Sequence, residues 1–139
     1  MTYRRDWGQP QAGPEGFFGT SKTFGRVVNI SVADNVTANT VGAFKVPAGF
    51  TVTGIIAVAG TLDSGAAMTF SVGDAASGVR YLSASTIGRT PGGSTQTLAA
   101  TGLLFLNVTD TEILVTITVQ AATAVAGTIA LYLQGYIAQ

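Results

Sequence analysis

The residues able to do chemistry in this 139-residue chain are few. Seven carboxylates, Asp6, Glu15, Asp34, Asp63, Asp74, Asp110 and Glu112, stand without a single histidine or cysteine to work beside them. The missing histidine removes the commonest general base and metal ligand, and the missing cysteine removes a thiolate nucleophile, a disulfide framework and Cys-type metal sites. Two carboxylates that converge in a fold can hydrolyse a glycosidic bond, but no spacing here selects a pair. Asp34, Asp63, Asp74 and Asp110 sit in turn-like sequence, where an aspartate commonly bonds its own backbone two residues on. No serine lies in a Gly-x-Ser-x-Gly elbow or a Ser-x-x-Lys pair. The run Gly88-Arg89-Thr90-Pro91-Gly92-Gly93 has the glycine content of a phosphate cradle, yet it lacks the following lysine and the helix whose N-terminus would hold an anion. It reads as a loop with Arg89 at its tip. Asp63, Asp74 and Asp110 do not have the spacing of a calcium loop. No catalytic residue, cofactor or metal is therefore expected, and an enzyme is the least supported class.

The elements that position these residues read as β-structure. In 112–119, Ile113, Val115, Ile117 and Val119 fall on one face, with Glu112, Thr116 and Thr118 on the other. In 127–137, Ile129, Leu131 and Leu133 oppose Thr128, Tyr132, Gln134 and Tyr136. In 66–73, Met68, Phe70 and Val72 oppose Thr69 and Ser71. Further strands are expected at 24–32, 39–46, 50–59, 78–84 and 102–108, with turns and a long 88–100 loop between them. No segment carries helical periodicity with a capping signal. The expected fold is all-β, an eight-stranded jelly-roll-like β-sandwich over 24–139, preceded by an extended N-terminal arm over 1–23.

Composition narrows the function classes. Only 10% of residues are charged against 47% apolar, and the formal net charge is zero. An average soluble domain carries about 25% charged residues. A neutral chain is poorly suited to neutralising phosphates, so no nucleic-acid partner is expected. No apolar run reaches the length of a membrane span, and Arg4 and Arg5 are not followed by the apolar stretch of a signal peptide, so the expectation is cytosolic synthesis without a membrane partner. A surface with so few charges is poorly protected against association and reads as one covered by other subunits.

Two features say where. Leu104 and Leu106 oppose Leu103 and Phe105 in the expected 102–108 strand, and Tyr132 and Tyr136 oppose the apolar face of 127–137, so both strands carry bulk on the side away from a sandwich core. The arm contains Tyr3, Arg4, Arg5, Trp7, Phe17 and Phe18 among glycines and prolines; aromatics of this kind are depleted in disordered tails and enriched as interface anchors. The expected partner-binding residues are these six together with Leu104, Leu106, Tyr132 and Tyr136. A different class, a carbohydrate-binding module, would use Tyr81, Tyr132 or Tyr136 as a stacking platform.

The stretch Val46-Pro-Ala-Gly-Phe-Thr-Val52, then Asp63-Ser-Gly-Ala-Ala-Met-Thr-Phe-Ser-Val-Gly-Asp74, Val79-Arg-Tyr-Leu-Ser83 and Ala126-Gly-Thr-Ile-Ala-Leu131, resembles small structural proteins of tailed bacteriophages. The resemblance covers 46–137 in pieces and leaves the arm outside. It implies a virion component of head decoration or cement type, made in the host cytoplasm and bound to the outer surface of the capsid. The implied partners are the major capsid protein and further copies of the chain, with a homotrimer favoured. It carries over no catalytic residue. A tail, fibre or head-tail component is the alternative within the same class.

Overall fold

The computed structural model describes residues 20–137, all of them in strands, turns and loops. Eight strands run in the order β1 (Thr20–Ile30), β2 (Thr40–Val46), β3 (Phe50–Ala59), β4 (Thr69–Gly73), β5 (Leu82–Ser85), β6 (Gly93–Thr95), β7 (Thr111–Val119) and β8 (Gly127–Ile137). They form two four-stranded antiparallel sheets, β1-β8-β3-β6 and β2-β7-β4-β5. The pairs are nested: β4 pairs with β5, β3 with β6, β2 with β7 and β1 with β8, alternating between sheets. A long antiparallel ribbon rolled up in this way is the jelly roll, two Greek keys facing each other.

Alternation in the sequence explains the core. Ile113, Val115 and Ile117 of β7 and Phe70 and Val72 of β4 are fully buried, and they face Ile129, Leu131 and Leu133 of β8 and Ile55 and Ala57 of β3. Each large side chain taken out of water contributes about 1.5–3 kcal/mol. Phe50 closes one end of this core, with Phe24 edge-on to it at a centroid distance of 5.0 Å. Gly135 is the residue that admits Phe50: a Cβ at this position would lie 2.9 Å from two carbons of the ring. The period-2 face of β7 ends one residue early, since Val119 is 46% exposed where the sandwich ends.

Eight strands are present, but not the same eight as the sequence suggests. The 88–100 segment holds β6 instead of being a loop throughout, while 102–108 is not a regular strand. The reason lies in the edge of β3. β6 pairs with Ala57–Ala59, and the chain leaves the sheet over 96–103 and returns to pair with the other end of β3. There the Leu104 N–H donates to Val52 O (2.7 Å), the Val52 N–H to Phe105 O (3.1 Å) and the Asn107 N–H to Phe50 O (2.9 Å). Thr51 and Leu106 form an antiparallel bridge between them. One edge strand is thus split in two by an excursion. Leu104 sits at its re-entry with φ 59°, so strict alternation of faces is lost there. The expected strands at 66–73 and 78–84 are also shorter, at 69–73 and 82–85, and β1 begins at Thr20, within the segment read as arm.

A candidate interaction surface at one end of the sandwich

The two ends of the sandwich are built differently. One end gathers the loops 31–39, 60–68, 86–92 and 120–126 around Asp63, which is fully buried. Its Oδ1 accepts the N–H groups of Gly65 (2.7 Å) and Thr123 (3.0 Å), and its Oδ2 those of Ala67 (3.0 Å), Met68 (2.9 Å) and Ala122 (3.1 Å). Burial opposes the charge, but the N–H groups aimed at it win and hold the carboxyl well below the usual carboxylate range. Asn35 reinforces the same end, its Nδ2 donating to Leu62 O and its Oδ1 accepting from Ala121 N–H. Arg89, expected at a free loop tip, instead donates from Nε to Met68 O at 3.0 Å and is half-buried. Asp63 ties the loops of this end together, its two buried oxygens taken up by five backbone N–H groups.

The opposite end presents side chains outward. Leu103, Leu104, Leu106 and Val108 are 56%, 60%, 47% and 77% exposed, on a loop whose backbone is tied to β3 by the ladder bonds above. Beneath them the loop is anchored by Arg80, whose Nε lies 2.7 Å from Asp74 Oδ2 and whose guanidinium stacks 3.7 Å from the centroid of the Phe105 ring. Asp74 in turn accepts the N–H groups of Ala76 and Ser77, which folds the 74–80 turn against the same spot. Asn107, 2% exposed, donates from Nδ2 to Phe50 O at 3.1 Å. Tyr81 is fully buried behind Phe105, with ring centroids 6.4 Å apart; burial pushes its phenol above the ordinary value, against a hydrogen bond from Asn107 that lowers it. A groove of about 540 Å³ opens beside the loop, walled by Phe105, Leu106, Val108 and Leu114 and rimmed by Asp110 and Glu112.

The outer face of the β1-β8-β3-β6 sheet continues this apolar relief. Register places Val27, Ala130 and Val58 in one cross-strand row, Gly25, Tyr132 and Ile56 in a second, and Ser21, Tyr136, Thr51 and Leu106 in a third. Residues opposite one another share a face of the sheet. Tyr136 and Leu106, far apart in sequence, therefore flank Thr51 on the same surface. Val27 and Val58 are 49% and 46% exposed. Tyr132 lies across Gly25, whose lack of a side chain makes room for its ring.

Of the expected partner-binding residues, Leu104 and Leu106 are thus on the outward loop and Tyr132 and Tyr136 on the adjoining sheet face, all at least partly exposed. Tyr3, Arg4, Arg5, Trp7, Phe17 and Phe18 lie outside the described residues. Tyr81, named for a sugar platform, is fully buried and cannot serve as one. The anchoring roles of Arg80, Phe105 and Asn107 have no signal in the sequence, since neither alternation nor turn chemistry marks a cation stacked on a ring across 25 positions. Among the described residues no cluster of three acidic side chains could hold a metal ion.

No family model matches the chain, and no curated protein sequence matches it. Solved structures do. A chain of the cyanophage Pam1 capsid asymmetric unit superposes with a TM-score of 0.77 at 28% identity, covering 99% of each chain. A chain of the capsid of Ralstonia phage GP4 gives a TM-score of 0.75 at 20% identity, covering 94% of this chain and 92% of that one. The likeness to the second is one of fold; the first adds sequence similarity over the full length. The shared fold, together with sequence similarity over the full length to a chain of the Pam1 capsid, supports a structural, phage capsid-related protein.

Proposed function

We propose that this chain is a decoration or cement protein of a phage head, a homo-oligomer, with a trimer favoured, that binds the outer surface of the capsid and stabilises the shell through contacts with the major capsid protein. The observation that carries the reading is the joined apolar relief of loop 103–108 and the outer face of the β1-β8-β3-β6 sheet, in a chain with 10% charged residues. A face of this kind is covered by protein in the working state. The apolar area buried there contributes about 25 cal/mol per Å², discounted by the cost of bringing subunits together and ordering the arm. Contacts repeated over a symmetric lattice add through multivalency even where each is weak. The arm, with Tyr3, Trp7, Phe17 and Phe18, reaches to capsid protein or to an adjacent copy.

Purified protein titrated onto heads that lack it tests the proposal. Saturation at a copy number set by the shell lattice, with a rise in the temperature at which heads release DNA, is the expected result. Binding confined to a single vertex would instead assign the chain to the tail or head-tail junction. The carbohydrate-binding alternative loses Tyr81, which is fully buried, and keeps Tyr132 and Tyr136 on the outer sheet face; glycan-array binding by the isolated domain would support it, and retention on heads without glycan binding would count against it.

A further inference from the structure

We infer that the groove beside loop 103–108 is the receptor for the N-terminal segment Tyr3–Trp7 of a second copy of this chain. The inference rests on the oligomeric reading above and names the contact that would hold the oligomer.

The groove has the chemistry for that segment. Its walls are apolar, and its one cation, Arg80, is already engaged by Asp74. Asp110 and Glu112 on the rim have no cation at ion-pair distance among the described residues; Glu112 is opposite Lys45 in the β2-β7 register without an ion pair forming. The groove therefore combines apolar surface with two carboxylates that make no ion pair among the described residues, although Asp110 accepts the Ala48 N–H at 3.0 Å and shares a neighbouring groove with Lys45. Tyr3-Arg4-Arg5-Asp6-Trp7 supplies two adjacent guanidinium groups between two aromatic side chains. Arginine matches a carboxylate with a planar fork of donors, and Trp, Tyr and Arg are the residues that carry interface energy. Of the other described cations that lack an ion pair, Lys22, Arg26 and Lys45 lie on β1 and β2, and Arg89 is bonded to the Met68 and Ala67 carbonyls at the opposite end of the sandwich.

The arm is long enough to reach a neighbour as well as its own groove. Thr20 is in register with Ile137 and Phe50, and Phe50 with Asn107, so the arm leaves the sheet three strand spacings from its own loop, roughly 14 Å away. The thirteen positions from Trp7 to Thr20 span up to about 45 Å when extended. A domain of about 100 residues has a radius of gyration of about 13 Å, so that reach crosses the width of a whole subunit.

The sequence provides its own probes. Trp7 is the sole tryptophan, so intrinsic fluorescence of the full-length protein reports on this segment alone, and the absence of cysteine leaves the background clean for cross-linking. In the oligomer Trp7 should emit as a shielded indole, and acrylamide quenching should rise severalfold on dilution to monomer, in the double variant Leu106→Ser/Val108→Ser and in Glu112→Lys. Chains carrying only Gln9→Cys, mixed with chains carrying only Thr109→Cys, should form a cross-chain disulfide. Quenching of the oligomer equal to that of a free indole, emission indifferent to all these substitutions, or a disulfide formed only within the doubly substituted chain would each overturn the inference. Heads that bind the protein while Trp7 stays unshielded would refute this contact alone, whereas shielded Trp7 in a protein that never binds heads would refute the decoration reading alone.

Discussion

Replacing Arg80 by alanine gives the sharpest test of how the outward loop is held. Arg80 connects two otherwise separate pieces, bonding Asp74 Oδ2 at 2.7 Å and covering the Phe105 ring at 3.7 Å, with side-chain exposures of 16% for Arg80 and 6% for Asp74. Breaking a buried pair by removing one partner costs about 3–5 kcal/mol, because the other charge is left behind. Asp74 keeps the N–H groups of Ala76 and Ser77, at 3.0 and 2.8 Å, so the lower half of that range applies. Loss of the stacked cation adds about 0.5–2 kcal/mol. The sum is about 3.5–6 kcal/mol, a large share of the 5–15 kcal/mol that stabilises a typical domain, so the variant should be strongly destabilised. Urea denaturation at neutral pH measures it. Arg80→Met, which keeps the apolar stem, should recover only part of the loss, and a double-mutant cycle with Phe105→Ala should show coupling of about 0.5–2 kcal/mol. A cost below about 1 kcal/mol for Arg80→Ala would make this an ordinary surface ion pair and refute the idea that it anchors the loop.

Leu104→Gly separates fold from contact: relief of the left-handed backbone returns about 1–2 kcal/mol, the freer unfolded chain takes back about 0.4–1, and monomer stability should hold or rise slightly while head binding weakens, as denaturation and head titration would show. The depressed pKa of Asp63 means its contribution is fully present above the ordinary carboxylate pKa and is lost as pH falls through its folded pKa; a melting-temperature profile should decline below about pH 4 in the wild type and less steeply in Asp63→Asn. Gly135→Ala should destabilise by about 1–3 kcal/mol or prevent folding, since the added carbon meets Phe50 and the Thr51 carbonyl, measurable by the same denaturation assay. Leu106→Ser/Val108→Ser should leave monomer stability within about 0.5 kcal/mol and abolish association seen by sedimentation.

Much of the fold was legible because burial is written in period 2. Ile113, Val115 and Ile117, and Ile129, Leu131 and Leu133, identify their strands and inward faces from sequence alone, and the opposite placement of Tyr132 and Tyr136 follows from the same count. The 102–108 segment shows where that signal stops. Its leucines look like a two-faced strand, yet the left-handed residue at Leu104 and the ladder to β3 turn it into an outward loop, and no local pattern encodes a partner some fifty residues upstream. β6 was missed for the complementary reason: Gly93, Ser94 and Thr95 carry no apolar alternation, and only the β3 edge makes them a strand. Asp63 was rightly read as a turn residue, but three of its five N–H partners come from chain already local to it while Ala122 and Thr123 come from across the fold.

The nesting of strands fixes the order in which the chain can be completed. β8 lies between β1 and β3, so the sheet that contains all three has no centre until the last strand has been made. During synthesis β1 and β3 wait for it with their inner faces uncovered, in a chain with few charges to keep such surfaces apart. Pairings this distant in sequence make folding slow and expose the waiting chain to aggregation. Soluble yield should therefore depend on release of the finished chain, and truncation anywhere within β8 should remove the whole sheet instead of trimming its edge.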